Sequence, residues 1–316
     1  VIHGGFRAMG TTVEAWSRDQ ESFAATVSFF EEAEQAMSRF RLDSDLSVVN
    51  GHPGCRVKLS PLLFSVLSSA EDLARRTGGL VDPGLGASLI DWGYDRTFEQ
   101  VEDRDRAPQG LSSFDWSLDG EYLVRSPGTL IDLGGIGKGW AADRAVEMGV
   151  AVVVSAGGDI RSVDPATEVP VLDPWGEESI RVALGVGALA TSSTTRRRWR
   201  VGGAEAHHLI DPRTMAPAVT PILSASVIAE TAAEAEAGAK AVLILGRDVL
   251  LGRTNRIGYR GQWRFGTMDR CSPHPGSGER PSHELDADQR VGDRRLCPPG
   301  GLNPVGVVGD DQGVGS

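Results

Sequence analysis

The sequence predicts an α/β (α+β) fold on three observations. Long stretches repeat apolar residues at helical spacing, short runs are rich in β-branched residues, and the two kinds alternate between short turns up to about Gly246. From Ser22 to Phe40, residues Phe23, Val27, Phe30, Ala33, Met37 and Phe40 recur at intervals of three and four, the apolar face of an amphipathic helix. Ser60 as N-cap and Pro61 at the first helical position open a second helix, running through Leu63, Val66, Leu67 and Ala70 to Gly78. A third helix follows the glycine run at 134–139 and covers Ala141 to Met148. The runs Val150 to Ser155 and Ile180 to Leu184 suit buried strands, and Leu223 to Ala229 is a further strand. An alanine-rich helix from about Ala232 to Leu245 ends the patterned region.

The chain has 316 residues, and its 32 Lys and Arg against 43 Asp and Glu leave a net charge of −11. That balance argues against sequence-independent nucleic-acid binding, which needs a basic face to displace phosphate counterions. No apolar run approaches the roughly 20 residues that cross a bilayer, and no signal peptide is visible after Val1, so the expected location is cytoplasmic, or exported or membrane-associated if upstream residues are missing. Three scattered cysteines (Cys55, Cys271, Cys297) argue against a disulfide framework or structural zinc. Beyond Gly246 the apolar period is lost, and residues 247–316 are expected to be a disordered tail or a translation in a shifted reading frame.

Most of the short motifs have ordinary local readings. Met9-Gly10-Thr11 reads as a strand start, Ser44 or Asp43 as the cap of a short helix ending near Asn50-Gly51, and Gly78-Gly79 with Asp82-Pro83 as a helix end and turn. Tyr94 sits in a loop, where its ring could pack or stack on a ligand, and the basic run Arg196 to Arg200 reads as a solvated face. More telling is Asp132-Leu133-Gly134-Gly135-Ile136-Gly137-Lys138-Gly139, a β-run, glycine turn and helix start that can present backbone N–H groups and Lys138 to an anion. It lacks the Ser or Thr of a Walker A loop and the spacing of a dinucleotide fingerprint, which leaves a phosphate loop of another kind or a structural turn. Gly157-Gly158-Asp159 ends a strand where backbone could approach a ligand closely. His207 and His208, as neighbours in an extended segment, point to opposite faces, so at most one can enter a site.

In their order these motifs, joined by Phe40-Arg41, Ala190-Thr191-Ser192 and His208 with Asp211-Pro212, resemble the ApbE family of FAD:protein FMN transferases over about residues 5 to 246. The resemblance implies a T-fold-like core of mixed sheets with packed helices, FAD as substrate, Mg²⁺, and transfer of FMN from FAD to a Thr or Ser hydroxyl of an acceptor flavoprotein with release of AMP. It also implies residue roles. Met9, Phe40, Leu80, Val81, Asp82 and Tyr94 would line the flavin or adenine pocket, with Gly157, Gly158, Asp159 and Ile210 also against FAD. Asp132 and Lys138 would contact FAD, His208 would handle a proton, and the Gly135 carbonyl with Glu236 would hold the metal. Where family members carry Asp and, four residues on, Thr or Ser, this chain offers Glu236 and Lys240. A protonated lysine cannot ligate Mg²⁺, so either the metal is held more weakly or the Lys240 ammonium partly replaces it as pyrophosphate counter-charge, which predicts a weaker metal dependence unless the two form only an exposed surface pair. An FAD pyrophosphatase and a non-catalytic flavin-binding protein are the alternative readings, and the oligomeric state is not legible.

Overall fold

A computed structural model describes residues 1–110, 114–246 and the backbone of 307–308. Strands β1 (Ile2–Ala8) and β2 (Thr11–Ser17) pair antiparallel, with Ala8 opposite Thr11. The two residues between them, Met9 and Gly10, take φ of 52° and 67°, the left-handed pair that a two-residue type I′ turn requires. Helix α1 (Gln20–Met37) is capped by Asp19 and stops three residues short of the predicted Phe40, which therefore falls in the following loop. Helix α2 (Asp45–Gly51) is capped by Ser44. Strand β3 (Arg56–Lys58) leads to α3 (Pro61–Arg76), whose N-cap Ser60 accepts from the Leu63 amide as predicted. Short helix α4 (Gly86–Asp91) follows, and β4 (Trp116–Asp119) and β5 (Tyr122–Arg125) join β3 in a small sheet of order β3-β5-β4.

Helix α5 (Gly137–Glu147) begins inside the glycine run, four residues before the predicted start. The remaining elements are β6 (Val153–Ala156), β7 (Asp159–Ser162), β8 (Glu168–Leu172), β9 (Glu178–Ala183), β10 (Gly187–Ser193), β11 (Arg198–Val201), β12 (Ala204–His207), β13 (Ile210–Asp211), β14 (Ala216–Pro217), β15 (Ser224–Ala229), α6 (Ala232–Leu245) and β16 (Val307–Val308). Glycines in the first turn of α5 follow from its crossing with α6, because a Cβ on Gly139 would lie 2.6 Å from the Ala232 carbonyl oxygen. The main sheet runs β1-β2-β6-β7-β10-β15-β16, antiparallel except for the last pair. Alanine-rich α6, buried along most of its length, packs on β10, β15 and α5. Phe30, Leu63, Leu67, Ile131 and Val154 are fully buried in the principal core. The segment expected as a buried strand at 180–184 lies mostly in β9, whose residues are exposed or half-buried, since β8 and β9 form a separate two-stranded ribbon. Apart from the backbone of 307–308, the predicted tail lies outside the described residues.

Candidate functional site

Three lobes of one cleft meet at Gly134 and Arg197, which line all of them. The first, about 800 Å³, is mainly apolar and is walled by Phe40, Leu80, Val81, Asp82, Tyr94 and Ile210, with Asp132, Gly135 and His208 at its edge. The second, about 1700 Å³, is more polar than the first and includes Lys138, Gly157, Gly158, Asp159, Thr191 and His208. The third, about 1060 Å³, holds Met9, Phe40, Tyr94, Asp132 and Lys138. The lobes share lining residues, so together they can offer one ligand chemically different environments at its two ends. Every predicted site residue lines this cleft except Glu236, which lies behind its wall with no exposed surface.

Local backbone explains much of this convergence. The Gly157-Gly158 turn joins β6 to β7 with φ of 64° and 97°, and a Cβ on Gly157 would strike Thr11 Oγ1 at 2.5 Å. The β1–β2 turn places Met9 in the third lobe, with its side chain by Gly137, and the Met9 amide donates to Glu34 Oε2 at 2.9 Å. Asp82 organises the loop after α3 by accepting from the Gly84 amide at 2.7 Å and the Trp116 indole at 2.8 Å. Burial nevertheless pushes its pKa up.

Beneath the second lobe lies a cluster of four charges. Lys138 Nζ is 2.8 Å from Asp159 Oδ2 and also pairs with Glu236. Glu236 Oε1 accepts from Lys240 Nζ at 2.9 Å, and its Oε2 accepts from the Gly139 amide at 2.9 Å. Burial opposes charge at each site, but the two ammonium groups overcome it at Glu236, which falls to about 2. Likewise the two carboxylates hold the Lys138 pKa above its ordinary value. For Asp159 burial wins, raising it to about 6, and burial also lowers Lys240. The glycine-loop helix start thus directs the Gly139 amide at an internal carboxylate. Two ammonium groups and an amide already satisfy Glu236, and the Lys240 side chain runs beside Gly135. Those donors do not fit Mg²⁺ in this arrangement, because a divalent cation would face two like charges. Among the described residues no group of three His, Cys, Asp or Glu side chains is placed to hold a metal. The Glu236–Lys240 pair is also not an exposed surface pair, since both residues are buried.

Asp132, at the border of the first and third lobes, is paired with Arg39 and accepts from the Gly134 amide at 2.9 Å. Arg39 also donates to the Tyr94 carbonyl at 2.6 Å, and its guanidinium lies 4.2 Å from the Phe40 ring centroid. The two histidines separate, His207 being the last residue of β12 and His208 lying in the bend that follows. His207 Nε2 bonds the Ala218 carbonyl at 3.0 Å, whereas His208 enters the cleft with its buried Nδ1 unpartnered among the described residues. Burial, reinforced by Arg197 and Lys240, holds His208 well below the ordinary histidine pKa, so it is neutral at pH 7. Asp143, on α5, lines none of the three lobes and accepts from the Ala232 and Ala233 amides at 2.7 and 2.9 Å, anchoring the start of α6.

Arg39 and Arg197 are charged cleft residues absent from the predicted site. Arg39 follows α1 directly, and no local pattern marks its pairing with Asp132, 93 residues away. Arg197 belongs to the run read as a solvated face, and Arg198 and Arg200 are indeed exposed while Trp199 is buried. Arg197 itself, with φ of 51°, turns into the cleft.

Fold and cleft define an α/β protein whose cleft joins a mainly apolar lobe to a more polar one. The sequence pattern of the ApbE family matches residues 9–258. An FAD:protein FMN transferase of Treponema pallidum is 30% identical over 251 residues, spanning 68% of this chain and 69% of that protein. Another, from Vibrio cholerae, is 26% identical over 289 residues, spanning 81% and 85%. The crystal structure of the ApbE protein of Thermotoga maritima superposes with a TM-score of 0.69 at 27% identity, covering 80% of this chain and 91% of that one. The chain belongs to the ApbE family, and its mixed α/β architecture of several sheets and packed helices is that of its solved relatives.

Proposed function

We propose that this protein transfers FMN from FAD to a Thr or Ser hydroxyl of an acceptor protein and releases AMP. The observation that carries this reading is a cleft whose apolar lobe, walled by Leu80, Val81 and Tyr94, opens into a polar lobe bearing His208. An isoalloxazine or adenine ring suits the first environment and a phosphate bridge the second. The acceptor oxygen forms a bond to the FMN-side phosphorus as the bond from that phosphorus to the AMP oxygen breaks. AMP leaves with the electron pair, and the hydroxyl proton needs an acceptor. His208 is suited to take it because it lines the polar lobe and is neutral. A bound pyrophosphate would offset the positive charges around His208 and raise its proton affinity when the hydroxyl is attacked. Asp132 and Lys138, held by Arg39 and by Asp159 with Glu236, serve as fixed walls for the dinucleotide. No step is assigned to Mg²⁺, given the donors around Glu236.

The test is incubation with FAD and a candidate acceptor, followed by assay for AMP and for flavin fluorescence that stays with the acceptor in a denaturing gel. AMP with labelled acceptor is expected. AMP without label would replace this reading with FAD hydrolysis, and FAD binding without AMP would replace it with flavin binding alone.

A further inference from the structure

We infer that Arg197 is the phosphate-binding side chain of the cleft, the group that grips the pyrophosphate bridge of a bound dinucleotide. This rests on the FAD reading for the ligand's identity and on the cleft's own charge balance for the residue. Five other cations line the three lobes. Lys138 and Lys240 are shared between Asp159 and Glu236, so that cluster of two ammoniums and two carboxylates carries no net charge when all are ionised. Arg39 is cancelled by Asp132, and Arg41 sits 2.7 Å from Glu31 and 3.4 Å from Glu34. Arg196 reaches only the second lobe and is exposed.

Arg197 differs from all of these. It lines all three lobes, is only partly exposed, and makes no hydrogen bond or ion pair among the described residues. Unneutralised positive charge at the meeting point of the lobes is therefore the guanidinium of Arg197. Its planar fork matches two phosphate oxygens, and it is more weakly hydrated than an ammonium, so it is surrendered to an anion at smaller desolvation cost. A ligand whose ends occupy different lobes has to pass this junction, and in a dinucleotide the connecting part is the diphosphate.

The experiment compares FAD, riboflavin and inorganic pyrophosphate as ligands of the full chain, by flavin fluorescence quenching and calorimetry. Arg197→Gln is expected to weaken FAD and pyrophosphate at least about tenfold, the loss of a charge-assisted hydrogen bond, while riboflavin affinity stays within about twofold. Arg197→Lys should fall between, keeping the charge without the fork. An Arg197→Gln protein that binds FAD as wild type does, or loses riboflavin as severely as FAD, would overturn the assignment. Far-UV circular dichroism checks that the variant is folded. If wild type binds pyrophosphate but no flavin, the FAD reading fails, and the Arg197→Gln effect on pyrophosphate still decides the role of Arg197. If wild type binds neither FAD nor pyrophosphate, both fall.

Discussion

Glu236 and Lys240 stand one turn apart on α6, buried, with Lys240 Nζ 2.9 Å from Glu236 Oε1. Because Lys138 and the Gly139 amide share the same carboxylate, Glu236 is the hub of the cluster and Lys240 one spoke. Glu236→Ala leaves Lys240 without its carboxylate partner and Lys138 with Asp159 alone, and should cost about 3–5 kcal/mol, the scale for breaking a buried ion pair from one side. Lys240→Met leaves Glu236 paired with Lys138 and should cost clearly less. Urea unfolding of the two variants measures the order, and a reversed order would contradict the hub arrangement.

The same geometry bears on metal dependence. With Glu236 engaged by two cations, FAD affinity of the wild-type protein is expected to change by less than about twofold when EDTA replaces Mg²⁺, below the roughly 0.4 kcal/mol that such a factor represents. A tenfold loss of affinity in EDTA would show that a divalent cation displaces Lys240 after all. Lys240→Thr removes the competing ammonium and is expected to increase the response to Mg²⁺.

Helix contact at Gly139 is set by backbone rather than by a movable side chain. A Cβ there meets the Ala232 carbonyl carbon and oxygen at 2.6 Å, so Gly139→Ala must push α5 from α6 and should cost about 1–3 kcal/mol. At Gly238 the nearest obstacle is Val227 Cγ1 at 3.1 Å, a side-chain atom, and the gain in helix propensity offsets part of the strain. Thermal or urea unfolding should therefore rank Gly139→Ala well below Gly238→Ala in stability.

His208 makes stability depend on pH with a definite sign. Its folded pKa lies well below 6.5, so below that pH the unfolded chain takes up a proton that the folded site refuses. The stabilisation is complete above pH 6.5 and is lost as pH falls, at a slope of at most about 1.4 kcal/mol per pH unit. His208→Gln should flatten this slope relative to wild type between pH 6.5 and 5. Parallel curves would mean that His208 titrates normally in the folded protein.

Caps and periodicity are local properties, and they were readable from the sequence. Ser60 before Pro61, Ser44 before α2, and the whole extent of α6 follow from residues within a turn or two of one another. That at most one of His207 and His208 enters the site is expected of neighbours in an extended segment, and only His208 does, from the bend after β12. Motif order pointed to the family and to residues that line one cleft. Tertiary structure decided how the charges are used. Lys138 finds Glu236 across 98 residues and Arg39 finds Asp132 across 93, pairings that no local spacing encodes. Whether a lysine is free to meet a phosphate depends on which carboxylates the fold has already placed beside it. That balance occupied Lys138 and left Arg197, one member of an apparently solvated basic run, as the unpaired cation where the three lobes meet among the described residues.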